Sequence, residues 1–357
     1  MRILIANPFG IGDVLFTLPL LQALREQDPE GFIGYLGNRR TTELIGAWPE
    51  VGWQAPFEFR TLSKQSRWRG WKELSGSARR IRQQRFDLLI DLSLGWAVGC
   101  AAFLAGVPRR IGLNYRDRGL FLTEKIRFTG FRNQPVGDTY LDLLPLIGFQ
   151  RPRDPVFRMA LDPKKEEAAR AWLREQGVDD RGRWLGLVPG GGASWGSAAR
   201  FKQWPPDRFA QVADELAQQH GVDILLIGDQ DDQPVCREVA RTMRRTPKQI
   251  GPAPSIVFLA HAMKRCALVI GNDSGPMHLA DAVGVKTLAI FGPVDASIYG
   301  PPGRGRGSSR KVAAHGLACR PCYRDFRFPP CPWDNACLKQ LEPREIIRAA
   351  EEILGNP

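Results

Sequence analysis

No apolar run in the 357-residue chain approaches the roughly 18 residues that span a bilayer, so a membrane-spanning protein is not expected. Nor does the sequence repeat at a fixed period of about 20 to 50 residues, which argues against a solenoid. The opening MRILIANPFG lacks the charged start, apolar middle and small-residue cleavage site of a secretion signal, so the expected compartment is the cytoplasm. Cysteine is sparse and uneven. Cys100, Cys236 and Cys266 stand apart while four of the seven crowd into 319–337, an odd total that suits reduced thiols or a metal better than a disulfide framework. Apolar material is not lacking: 43% hydrophobic residues, 10 Trp and 18 Phe exclude a disordered chain, and the length suggests two domains.

Acid is in short supply in particular places. Fifty Lys and Arg against 38 Asp and Glu give a net charge of +12, and the excess is local. Residues 60–85 hold nine basic residues and only Glu73, and residues 109–132 hold seven against two. Such focused charge fits an anionic partner, whether nucleic acid, an acidic membrane surface or a phosphorylated substrate. A solvated helix face would carry the same run.

RILIAN at 2–7 is a buried-strand pattern followed by a glycine turn and a helical run, Val14 to Leu24. Further strands are expected at 32–36, 87–92, 110–113, 184–188, 223–227, 268–270 and 287–291. Helices are expected near 68–85, 95–105, 206–219, 232–244, 255–265 and 276–283, with a closing helix opened by Pro343. This alternation predicts an α/β protein with two doubly wound, Rossmann-like parallel sheets around a cleft, where ligands sit just beyond the carboxyl ends of strands. The Pro- and Gly-rich GFQRPRDPVF at 148–157 marks the boundary, giving domains of 1–155 and 156–342 and a closing helix over 343–357.

Four stretches carry candidate chemistry. In NPFGIGDVLFTLP at 7–19, a dinucleotide fingerprint fits poorly: Leu15 replaces the third glycine, and Asp13 would repel a pyrophosphate. A carboxylate held ionised at a helix start can instead take a proton from a substrate hydroxyl, and it can equally be an ordinary helix cap. In PGGGASWGSAARFKQWP at 189–205, a flexible glycine-rich loop with Ser197 and Lys202 suits a diphosphate. GNDSGPMHLADAVG at 271–284 puts Asp273, Ser274 and Gly275 at a strand-to-helix turn, with His278 in reach of the same ligand; a capped helix with a buried histidine is the plainer alternative. In DQDD at 229–232, Asp232 fits a ribose-binding acid, with a metal site and a plain helix cap as the other readings.

The opening segment, the FKQWP box and the NDSGPMHLA box together resemble glycosyltransferase family 9, the bacterial lipopolysaccharide heptosyltransferases, over nearly the whole chain. The resemblance implies the GT-B fold and inverting transfer of a heptose from ADP-heptose to the lipopolysaccharide inner core. Asp13 would be the general base, and Lys202 would stabilise the departing diphosphate. Ser197, Asp273, Ser274, Gly275 and His278 would surround the nucleotide sugar, and Asp232 would bind its ribose. Ala198 departs from the family pattern, in which a second hydroxyl residue often stands beside the diphosphate. No cofactor would be required for catalysis.

With that reading the basic segments gain a partner: an anionic, lipid-anchored oligosaccharide at the cytoplasmic membrane surface. Arg60, Lys64, Arg67, Arg69 and Arg118 are its candidate contacts, while Trp68 and Trp71 either reach the membrane interface or, the favoured reading, pack the core. Nucleic acid is not expected as a partner, since no recognition helix or aromatic-studded sheet motif is present. A monomer peripheral to the inner membrane is expected. Cys319, Cys322, Cys331 and Cys337 are enough for a structural zinc or iron, against the alternatives of reduced thiols or disulfides. Two other functions stay open: a family relative using another nucleotide sugar or a protein acceptor, and a non-catalytic nucleotide-sugar or polyanion-binding protein.

Overall fold

The computed structural model describes residues 1–58, 67–179, 182–303, 309–314 and 316–355; the side chains of residues 67–69, 193–195 and 197 lie outside the described set. The chain divides into two compact units, Met1–Val156 and Phe157–Pro357.

Among the described residues of the first unit, six parallel strands form one sheet: β1 (Arg2–Ala6), β2 (Phe32–Gly37), β3 (Val51–Pro56), β4 (Leu88–Asp91), β5 (Arg109–Tyr115) and β6 (Glu124–Phe128), in the order β3-β2-β1-β4-β5-β6. β1 is central because its residues suit burial on both faces: Ile3, Leu4, Ile5 and Ala6 are all at most 1% exposed. Leu4 and Ala6 join Leu36 and Leu89 in a core beneath the helices Arg67–Gln84 and Ala97–Leu104, to which Leu74, Ile81, Val98 and Ala101 contribute. Ile3 and Ile5 alternate to the opposite face.

The second unit repeats the arrangement with β7 (Trp184–Val188), β8 (Asp223–Ile227), β9 (Lys248–Ile250), β10 (Cys266–Asn272), β11 (Thr287–Phe291) and β12 (Ser309–Ala313), ordered β12-β11-β10-β7-β8-β9 and again parallel throughout. Counted from its own first strand, each sheet therefore has the same order. One face of the second is covered by Pro206–His220, Gln233–Thr242 and the closing helix Pro343–Gly355, whose Ile346, Ala350 and Ile353 pack with Phe209, Leu216 and Val239. No helix among the described residues is long and apolar enough to cross a membrane.

Three local expectations change. The helical run Val14 to Leu24 is two helices, Ile11–Leu15 and Leu18–Gln27. Pro19 has no N–H to give to Leu15, and Thr17 Oγ1 donates to the Val14 carbonyl 2.6 Å away, closing the first helix. The segment around Ser197 is not an open loop, for Ala193–Lys202 is 3₁₀-helical with a kink where Gly196 takes φ 55°. Trp71 is 62% exposed and does not pack the core, while the Trp68 side chain lies outside the described residues.

Candidate active site

In both sheets the winding direction reverses beside the first strand, between β1 and β4 and between β7 and β10. Such a switch point opens a crevice beyond the strand ends, where ligands bind in sheets of this kind. Asp13 follows β1, the Gly190–Lys202 segment follows β7, and Asp273 follows β10. The sequence-predicted residues thus fall at the switch points of their own units.

In the first unit, Asp13 is not the helix cap itself. It stands three residues inside, and its Oδ2 accepts a hydrogen bond from the N–H of the cap residue Gly10 at 3.2 Å. The carboxylate is half-buried, and its charge is felt by the buried Tyr35, whose phenol is pushed well above its ordinary range mainly by burial, with the Asp13 charge adding to the shift. The turn is braced from beneath. Fully buried Asn7 donates from Nδ2 to the Asp13 carbonyl at 2.9 Å and accepts from Phe9 N–H, while Asn38 Nδ2 donates to the carbonyls of Pro8 and Phe9. Neither asparagine was among the candidates; a polar residue directly after the apolar run Ile3–Ala6 is the signal that marks Asn7.

The second unit brings more together. Lys202 Nζ lies 2.8 Å from Asp273 Oδ2, with the two side chains 5% and 6% exposed. Removing two charges from water costs several kcal/mol each, recovered only by close pairing, so this contact fixes the lysine in place. His278 Nε2 lies 3.9 Å from Asp273 Oδ1. Burial, helped by the nearby Lys202 charge, drives its pKa down to about 4, which leaves the imidazole neutral at physiological pH. Ser274 begins the helix Gly275–Ala282, yet its hydroxyl caps nothing. The buried Oγ has no hydrogen-bond partner among the described residues, and Pro276 in the first turn has no N–H. The first turn of this helix is therefore not closed by a side-chain cap.

Asp232 comes to the same region: a Cβ added to Gly190 would fall 2.2 Å from its carboxyl carbon, so the carboxylate lies against the bare backbone of the segment after β7. Burial, then the negative charge of Asp229, raises its pKa to about 6. Asn272, absent from the sequence candidates, ties the parts together. Fully buried, it accepts from Trp204 N–H at 3.0 Å and donates to the Pro189 carbonyl at 2.7 Å, clamping both ends of the Lys202 segment to β10.

Other candidates are not assembled this way. Arg60 and Lys64 lie outside the described residues, as do the side chains of Arg67, Arg69 and Ser197. Arg118 is exposed in the segment joining β5 to β6. Cys319, Cys322, Cys331 and Cys337 are free thiols that line one small cavity with Phe201, Phe328 and Trp333. The expected structural metal gains no support there. Among the described residues no group of three or more His, Cys, Asp or Glu could hold a metal ion.

The chain matches the model of glycosyltransferase family 9 (heptosyltransferase) over residues 76–325. It is 36% identical over 177 residues to lipooligosaccharide heptosyltransferase 2 of Campylobacter jejuni, covering 48% of this chain and 51% of that protein. The chain thus spans about half the length of that relative. With lipooligosaccharide heptosyltransferase 2 of Haemophilus influenzae it is 25% identical over 319 residues, covering 85% and 86%. Its fold matches the structure of the ADP-heptose lipopolysaccharide heptosyltransferase II of Escherichia coli with a TM-score of 0.78 at 18% identity, covering 99% and 98%. Two doubly wound units in one chain are the GT-B fold.

Proposed function

Because the chain belongs to glycosyltransferase family 9, we propose that this enzyme transfers a heptose from ADP-heptose, with inversion, to the inner core of lipopolysaccharide. The observation that carries the reading is the buried Lys202–Asp273 pair beside the open start of Gly275–Ala282. Together they offer a fixed cation and free backbone N–H groups to a diphosphate, with Asp232 set to accept hydrogen bonds from a ribose.

In the reaction an acceptor hydroxyl oxygen attacks the anomeric carbon as the bond from that carbon to the diphosphate oxygen breaks. The proton passes to the Asp13 carboxylate, and the electron pair of the broken bond goes to the departing ADP. The transition state resembles an oxocarbenium ion, and one carboxylate suffices because no covalent intermediate forms. Charge grows on the diphosphate as it leaves. Lys202 and the helix N–H groups bind it more strongly then than in the ground state, which lowers the barrier. Neutral His278 adds a polar contact without adding charge, and Ser197 and Gly275 complete the donor site.

Arg118, with Arg60, Lys64, Arg67 and Arg69, binds the phosphates and sugar acids of a lipid-anchored acceptor, which places the enzyme at the cytoplasmic face of the inner membrane. The test is Asp13→Ala. Turnover, followed as ADP release, falls by about 10²- to 10⁴-fold, the usual worth of a positioned base, while ADP binds with unchanged affinity. Near wild-type turnover in that variant would sink the assignment.

A further inference from the structure

Among the described residues the large apolar side chains left in water include, besides Met1, Trp71 and Trp333, a group within 96–120 of the first unit: Trp96 is 48% exposed, Phe103 52%, Leu104 50% and Leu120 76%. Trp96 and Phe103 stand seven positions apart across the helix Ala97–Leu104, hence on one stripe, and Gly99 lies on that stripe between them. A Cβ at Gly99 would fall 3.2 Å from Phe121 Cβ, and the Phe103 and Phe121 rings are 5.7 Å apart. Leu120 adjoins Phe121, and Leu104 adjoins Phe103. Trp96, Phe103 and Phe121 therefore share one apolar stripe, flanked in sequence by exposed Leu104 and Leu120.

Its cause lies in the topology. β5 and β6 are parallel neighbours, and the chain must return from the end of one to the start of the other. Such a crossover ordinarily takes a dozen or more residues and a helix. Here it is residues 116–123 alone, a strap without a helix. The flank of Ala97–Leu104 that a crossover helix would cover in a doubly wound sheet meets Phe121 and Leu122 of the strap at Gly99 instead.

The rim is cationic. Arg110 places its guanidinium 5.4 Å from the centre of the Phe103 ring and donates from Nε to the Phe121 carbonyl, and the strap carries exposed Arg116 and Arg118 on either side of a single acid, Asp117. A soluble partner surface would meet the apolar patch equally well, but an arginine rim around tryptophan, phenylalanine and leucine complements an anionic bilayer, whose headgroups take the arginines while the apolar side chains enter the acyl boundary. We propose that this face, built from Trp96, Phe103, Leu104 and the 116–123 strap, docks on an anionic lipid surface. The proposal rests on the reading of a lipid-anchored acceptor and gives that reading its point of attachment.

The test is co-flotation of the full chain with vesicles of phosphatidylglycerol and phosphatidylethanolamine, against phosphatidylcholine alone, with no donor or acceptor present. Wild type floats with the anionic vesicles only, and at least about tenfold less in roughly 1 M salt, where charges are screened. Phe103→Ser/Leu120→Ser, at exposed positions, loses at least about tenfold in vesicle binding while ADP release with a delipidated, soluble acceptor stays at the wild-type rate; Arg116→Gln weakens binding to anionic vesicles. Unchanged flotation of the double variant overturns the proposal, as does a wild-type dimer that the double variant converts to monomer. Loss of ADP release by wild type with the soluble acceptor would instead defeat the functional reading and leave the flotation result standing.

Discussion

Replacing Lys202 by methionine keeps the length and apolar stem of the side chain but strands the Asp273 carboxylate at 6% exposure. Breaking one side of a buried pair costs about 3 to 5 kcal/mol. At about 2 to 4 °C per kcal/mol for a domain of this size, the melting temperature falls by about 6 to 20 °C. His278 softens the loss: burial mainly keeps it neutral, but Lys202 contributes, so without the lysine it takes a proton more readily. Lys202→Met/Asp273→Leu removes both charges and recovers most of the stability, yet its turnover stays down by about 10²- to 10³-fold, the scale of losing one stabiliser of developing charge. The assays are thermal melts and ADP release by each variant. A single variant as stable as wild type, or a double variant that regains turnover, would refute this reasoning.

Asp232, with its pKa raised to about 6, is ionised in the free enzyme only above that pH, so kcat/KM for the donor falls toward tenfold per unit below it, and Asp232→Asn shows a low, flat profile from pH 5 to 7. The raised pKa means the folded state holds this proton more tightly than the unfolded chain does, so the group adds stability as pH falls from 6 toward 4; unfolding linked to Asp232 therefore cannot cause the activity loss. Asn272→Ala leaves the Trp204 N–H and the Pro189 carbonyl without their partner, at about 1 to 3 kcal/mol each, and frees both ends of the Lys202 segment. Melting should drop and ADP affinity weaken by at least about tenfold, both read from thermal shifts with and without ADP; an unchanged ADP affinity would remove Asn272 from the site.

The central strands were readable because burial on both faces leaves a continuous apolar signature. The expected strands at 184–188, 223–227 and 287–291 coincide with β7, β8 and β11. All four strands that periodicity missed, β3, β6, β9 and β12, are sheet edges. Each has one neighbour and part of its surface in water, so Glu124-Lys125 in β6 and Arg310-Lys311 in β12 read as loop. At the site, residues that meet a ligand announced themselves through glycine, acid and lysine types just after strands. Of the residues that hold them, Asn38 and Asn272 did not, because their bonds to the site segments run across 29 to 83 positions of sequence that no local pattern records, whereas Asn7 works within its own turn, over 2 and 6 positions. Trp71 misled for the opposite reason: helical spacing predicts a core face, and this one faces water.

The most direct test of the account is donor discrimination by the purified enzyme. With an inner-core acceptor present, ADP-heptose should support transfer, with the new glycosidic bond of inverted configuration, and UDP- and GDP-sugars should support little or none. Transfer from a UDP- or GDP-sugar at a rate equal to or above that from ADP-heptose, or a product of retained configuration, would contradict it.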